Sequence, residues 1–156
     1  MEKLFLACTV FLATHFVPST PLRGPTIVGM DALLKSADPA RGMIRIMRHP
    51  VMWAFLLWAL AHVLARGDLK ALLFFGTFAL LAGLGTLLMD ARKKTALGED
   101  WQRFAAVTSN LPFAAVLQGR NRFDVREIGW RNPVIGLALY ALLFWFHPMI
   151  FGARAY

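Results

Sequence analysis

The stretch RHPVMWAFLLWALAHVLARGDLK, residues 48–70, most constrains what this chain can fold into. Arg48 and His49 stand before a proline-started run of apolar residues. Arg66 and the Gly67-Asp68 pair close it. Proline suits the first turn of a helix, where its missing N–H has no partner to lose, and a basic residue followed by Gly-Asp suits a helix end and a new start. Inside that run sits His62. An ionisable side chain in apolar surroundings of membrane depth is costly to keep, so it marks a candidate functional position.

Three further blocks share the pattern, giving candidate spans at residues 4–17, 50–66, 69–89 and 133–151. A crossing takes roughly 20 apolar residues, about 17–25 in practice. The third and fourth blocks meet that length. The second meets it by including His49 and Pro50 at one end and the aliphatic stem of Arg66 at the other. The first is cut short by Pro18 and Pro21. Its Lys3 and apolar run resemble the start of a signal peptide, but no A-x-A-like cleavage site follows, and it is read as a retained, tilted or incomplete span. Composition agrees: 58% of 156 residues are hydrophobic and mean hydropathy is +0.54, above the 45–50% or so of an ordinary soluble domain. The expectation is an all-α, polytopic membrane bundle of about four transmembrane helices with interfacial helices, forming a single domain over residues 1–156.

The formal charge of +8 would suit nucleic-acid binding, but its distribution argues for topology instead. Of 17 lysines and arginines, five lie between the first two blocks and eight between the last two. Only Lys3, Arg66, Lys70 and Arg154 lie elsewhere. The positive-inside rule then places both long loops in the cytoplasm, next to anionic lipid headgroups. The termini and the Gly67-Asp68 connector face outward. No nucleic-acid partner is expected.

The loops carry local signals. Asp38-Pro39 reads as an N-cap with proline at N1, opening a short basic helix through ARGMIRIM. Trp101, Phe104, Phe113 and Phe123 suit an interfacial aromatic belt. Gly76 and Gly83, seven residues apart, predict a close helix contact. Asp90 is expected to pair with the basic run from Arg92 to Lys94.

Imidazole is the side chain suited to ligating haem iron or a divalent metal, and all four histidines, His15, His49, His62 and His147, fall at or inside spans. Each also has a structural reading, as a helix cap or an interhelical hydrogen bond. Thirteen residues separate His49 from His62. On one helix that is about 20 Å along the axis and roughly the opposite face, so the two cannot share an iron. Depth alone pairs His62 with His147 and His15 with His49. Phe55, Trp58 and Ala59 precede His62 on one helical face, which suits a flat macrocycle and equally suits plain packing. The single cysteine, Cys8, excludes an internal disulfide and a cysteine-built zinc site. No Walker A, G-x-G-x-x-G, H-E-x-x-H or nucleophile-elbow motif is present. A transporter normally has more spans, although a homo-oligomer could supply them.

The segments DPARG, RHPVMW, LWALAHVLARGDL, LGEDWQRFAAVTSNLPFAAVLQGRNRF and FHPMIFG together closely resemble the NnrU family of bacterial membrane proteins, over nearly the whole chain. That family is related to 15-cis-zeta-carotene isomerase, an integral membrane protein that uses haem b with histidine axial ligands to isomerise a polyene. The resemblance implies haem b as cofactor, a hydrophobic polyene as substrate, and the bacterial inner membrane as location. It makes His15 in THFVPS and His62 in LAH the favoured axial ligands, with His49 in RHP and His147 in FHP in reserve. It also implies an alternative, a non-catalytic accessory or sensor in nitric-oxide and denitrification metabolism. The chain departs from the family pattern at one place: only Thr20 to Ala37 stands between the HFVPS and DPARG segments, where family members carry further apolar spans.

Overall fold

The computed structural model describes Leu34 and residues 36–152. Its helices are α1 (Met43–Ile46), α2 (Pro50–Arg66), α3 (Leu69–Val107), α4 (Ala114–Leu117), α5 (Val125–Ile128) and α6 (Arg131–Phe151). No strand occurs among the described residues. They fall into two units, one ending at Glu127 and one beginning at Ile128.

The first unit is organised by the α2/α3 hairpin. Gly67 takes φ +65 and closes α2 through its N–H to the Val63 carbonyl at 3.0 Å. A left-handed residue here favours glycine, which has no Cβ to clash. Asp68 then caps α3, its Oδ1 accepting from the Ala71 N–H at 2.9 Å. Two residues of connector leave the helices antiparallel neighbours. Small side chains let them approach: Ala59, Ala71 and Ala82 are buried. Of the expected glycine pair, only Gly83 faces the partner helix, with Leu56 nearest to where a Cβ would stand; Gly76 meets only Leu72 of its own helix. The tightest contact is at Gly85, where an added Cβ would come within 2.5 Å of Met52 Cε.

Helix α3 runs well past the expected end at Met89. A straight helix of its 39 residues would extend roughly 58 Å, about twice a bilayer core. Gly98, at φ +51 and ψ −120, breaks the line. The segment beyond it turns into a cap layer in which Trp101 and Phe104 pack on Leu34, with Ile44, Leu97 and Ala105 around them. Trp101 and Phe104 are therefore core residues and not part of an aromatic belt. Phe113 and Phe123 remain exposed, their ring centroids 5.9 Å apart.

The predicted helix from Asp38 shrinks to the four residues of α1, preceded by Gly42 at φ +56. Asp38 does not cap it, because its carboxylate is taken by Arg45 at 2.6 Å. Arg45 is buried and also donates to both oxygens of Glu127, at 2.7 and 2.8 Å, and to Asn121 Oδ1 at 2.8 Å. Three acceptors around one guanidinium tie residues 38–45 to residues 121–127. Charge-assisted bonds of this kind outcompete a single cap bond to a backbone N–H.

Helix α6 makes up most of the second unit. It is apolar on every side and nothing in it is buried. Pro133 falls in its first turn, where proline is tolerated, and Gly152 at φ +69 ends it four residues after Pro148. Two helices, α3 and α6, are long and apolar enough to cross a membrane, and α2, at 17 residues, is a shorter apolar helix. The described residues thus support two of the four expected spans by length, with α2 matching its predicted bounds of 50–66 but falling short of the other two. The block at residues 4–17 lies outside the described residues.

Candidate functional site

Three of the four histidines are described, and the fold gives each a different environment. His62 projects from α2 toward α3. Its Nδ1 lies 2.8 Å from the Trp58 carbonyl one turn back. A carbonyl can only accept, so Nδ1 carries the proton, and in the neutral ring the lone pair then belongs to Nε2. Two aromatic rings border the imidazole as a corner, their own centroids 5.1 Å apart. Trp58 is 4.9 Å away at 50°, and Phe75 of α3 is 4.6 Å away and closer to parallel, at 31°. Phe75 is itself held edge-on by Trp58 at 5.1 Å and by Phe74 at 5.1 Å, and Trp58 also meets Phe78 at 5.9 Å. The sequence pattern of aromatics one turn before His62 anticipated Trp58. It gave no hint of Phe75, which comes from the other helix.

His49 is treated differently. It occupies the N-cap position of α2, yet its side chain caps nothing. Instead Nε2 donates to Asp90 Oδ1 at 2.7 Å, while Arg48 Nη2 donates to Asp90 Oδ2 at 2.7 Å. Of the expected partners in Arg92–Lys94, Lys93 feels the charge of Asp90, but the carboxylate's hydrogen bonds go to His49 and Arg48, because the hairpin brings the start of α2 beside the far part of α3. The Arg48 guanidinium lies 5.5 Å from the centre of the Trp101 ring and the Lys93 ammonium 5.7 Å from it. Arg48 Nε is buried with no hydrogen-bond acceptor, so the electron-rich ring is its nearest compensation. Desolvation pushes His49 below its ordinary pKa, against the pull of the Asp90 hydrogen bond. It lowers Lys93 for the same reason.

His147 lies in the other unit, on α6, with its ring 4.7 Å from that of Phe151. His15 lies outside the described residues. The predicted separation of His49 from His62 holds: one belongs to an ionic cluster at the start of α2, the other to an aromatic cluster near its end. Among the described residues no group of three or more His, Cys, Asp or Glu could hold a metal ion.

A second polar link holds the hairpin to the cap layer and was not foreseen. Trp53 Nε1 donates to the Asn110 carbonyl at 2.8 Å, and Asn110 Nδ2 donates to Thr86 Oγ1 at 3.0 Å. The signal was the unusual S-N-L-P sequence after α3, whose backbone groups had to find partners somewhere.

An all-helical chain with apolar helices of membrane length and a histidine set among aromatics defines a class more than a reaction. Comparison with known proteins narrows it. Residues 4–155 match the family described as NnrU protein, and the chain belongs to that family. It is also 32% identical over 123 residues to the chloroplastic 15-cis-zeta-carotene isomerase of Arabidopsis thaliana, covering 72% of this chain and 31% of that protein. The corresponding isomerase of Zea mays is 31% identical over 118 residues, covering 70% of this chain and 31% of its own. The matched part therefore spans about a third of the length of these curated relatives. No solved structure matches the chain.

Proposed function

We propose that this chain is a multi-pass protein of the bacterial inner membrane that binds haem b through His62 and supports cis–trans isomerisation of a polyene. Relatives named as carotene isomerases supply the reaction class. The observation that carries the cofactor is the His62 Nδ1–H bond to the Trp58 carbonyl, which assigns the metal-binding lone pair to Nε2. A second-shell bond of this form is the usual way a ligating imidazole is oriented. In this reading His15 would hold the haem together with His62, and His147 and His49 stand in reserve; His49, whose Nε2 donates to Asp90, would have to use Nδ1.

Haem, when bound, would supply an iron with Lewis-acid character toward a double bond, and His62 and His15 would hold it. The chain's own part is to orient His62, to keep water from the site with the Trp58–Phe75–Phe78 cluster, and to admit a hydrophobic substrate from the bilayer. The basic loops face the cytoplasm and its anionic headgroups. A second reading is a haem-binding accessory or sensor in nitric-oxide metabolism, supported by membership of the NnrU family without a reaction named for it. The deciding experiment places the purified protein in liposomes with a cis-configured carotenoid, with and without dithionite. Conversion to the trans isomer that requires reduction and His62 supports the catalytic reading. Haem binding without conversion supports the accessory one.

A further inference from the structure

We infer that Phe75 is a positioning residue for His62, fixing the plane and tautomer of its imidazole from the opposite helix. The inference rests on the haem-ligand reading for its purpose but not for its observations. A histidine that bonds the carbonyl one turn back can still leave that bond by rotating about its own χ2. What opposes rotation here is a corner made by two rings. Trp58 at 4.9 Å and Phe75 at 4.6 Å, with a tilt of only 31°, both border the imidazole, and their own centroids are 5.1 Å apart, so Phe75 covers the part of the ring turned toward α3. Phe75 is itself abutted edge-on by Trp58 and Phe74, each at 5.1 Å. Contacts at such distances restrict the rotamers open to a side chain.

The helices that carry these rings are themselves fixed relative to each other. The Gly67-Asp68 connector sets one end of the hairpin, and the contact of Gly85 with Met52 sets it farther along. Imidazole orientation is thus encoded across α2 and α3 before any ligand arrives. A ligand atom built this way loses little conformational freedom on binding, which is the general advantage of preorganisation. The plane of an axial imidazole also governs the electronic anisotropy of a low-spin ferric haem, so the arrangement has a spectroscopic consequence.

The test uses the full-length protein in nanodiscs, with histidine labelled in both ring nitrogens and His62→Asn to assign the signal. In the haem-free wild type, nitrogen chemical shifts should show one His62 tautomer, protonated at Nδ1. Phe75→Leu keeps apolar bulk but removes the flat face, and should give a second tautomer or exchange-broadened signals. Phe75→Tyr should restore the single form. Phe123→Leu, loss of an exposed ring whose neighbour is Phe113, should leave it unchanged. In haem-loaded protein the ferric low-spin resonance should shift with Phe75→Leu and stay put with Phe123→Leu. The inference is overturned by a wild-type ring protonated at Nε2, or by Phe75→Leu behaving as wild type, or by Phe123→Leu disturbing the ring equally. The apoprotein measurements decide the matter even if no haem is ever bound, so the two proposals fail separately.

Discussion

The hairpin and the cap layer handle the same side chain in opposite ways. In the cap layer His49 donates to a carboxylate that an arginine also holds, and burial lowers its pKa against the pull of that carboxylate. In the hairpin His62 donates its Nδ1–H to a carbonyl of its own helix and packs beside the Trp58 and Phe75 rings. The bond to a carboxylate ties His49 into an ionic cluster with a second helix, whereas the bond to a carbonyl holds His62 against its own. A histidine in apolar sequence is therefore not informative by itself; the acceptor of its N–H and the charge around it set what the ring can do.

The contrast can be broken from the cap side with the largest effect. Arg45 is buried and meets Asp38, Glu127 and Asn121. Replacing it with Met leaves two carboxylates without their cation. Removing one partner of a buried pair costs about 3–5 kcal/mol, and the partly exposed acids here reduce that to roughly 2–4 kcal/mol. Thermal unfolding in detergent should show the loss, with haem binding by the folded fraction unaltered.

Asp90→Asn is next. It weakens both bonds that hold the start of α2 to α3, at about 1–3 kcal/mol for hydrogen bonds involving charged groups. The cap should loosen while the His62 environment stays intact, as hydrogen exchange at the Trp53 indole would report.

Acid should act on the cap in two stages. Burial depresses the folded-state pKa of His49 below its ordinary 6.5. The unfolded chain therefore takes up that proton first, and stability falls as pH drops through the region below 6.5. Glu127, held by Arg45, is lowered from 4.5 to about 2. Its stabilisation is present above pH 4.5 and is lost as pH falls from 4.5 toward 2. Glu127→Gln should remove the second stage and His49→Gln the first, in urea titrations across pH.

The smallest effect probes the hairpin. Gly85→Ala places a methyl against the flexible end of Met52, while alanine gains up to about 1 kcal/mol over glycine in a helix. The two nearly cancel. Combined with Met52→Ala, the same change should lose its steric penalty and become favourable by up to about 1 kcal/mol relative to Met52→Ala alone.

How much of this could be read in advance follows from distance along the chain. Pro50, Arg66 and the Gly67-Asp68 connector fixed α2 and the hairpin turn, since caps and breakers act within a few residues. Helix α6 was legible because residues 133–151 form an apolar run interrupted only by His147, which leaves few alternatives. Asp90 was assigned to its neighbours at 92–94, and Lys93 does feel its charge, but the side chains that hydrogen-bond it lie 41 and 42 residues earlier. Asp38 was misread as a cap for the same reason: Arg45 also answers to Glu127, 82 residues on. Trp101 and Phe104 looked interfacial because composition cannot say which side of a helix another segment will cover. The family could be read from motifs. The aromatic wall given by Phe75 could not, since nothing local ties it to His62.

The most direct test of the central claim is the absorption spectrum of the detergent-purified protein, oxidised and dithionite-reduced, with a pyridine haemochrome assay. Wild type is compared with His62→Ala and His49→Ala. A b-type spectrum retained in His49→Ala and lost in His62→Ala is the predicted result. A wild-type protein without haem despite haem supplied during expression would contradict the account, as would a spectrum that survives His62→Ala unchanged.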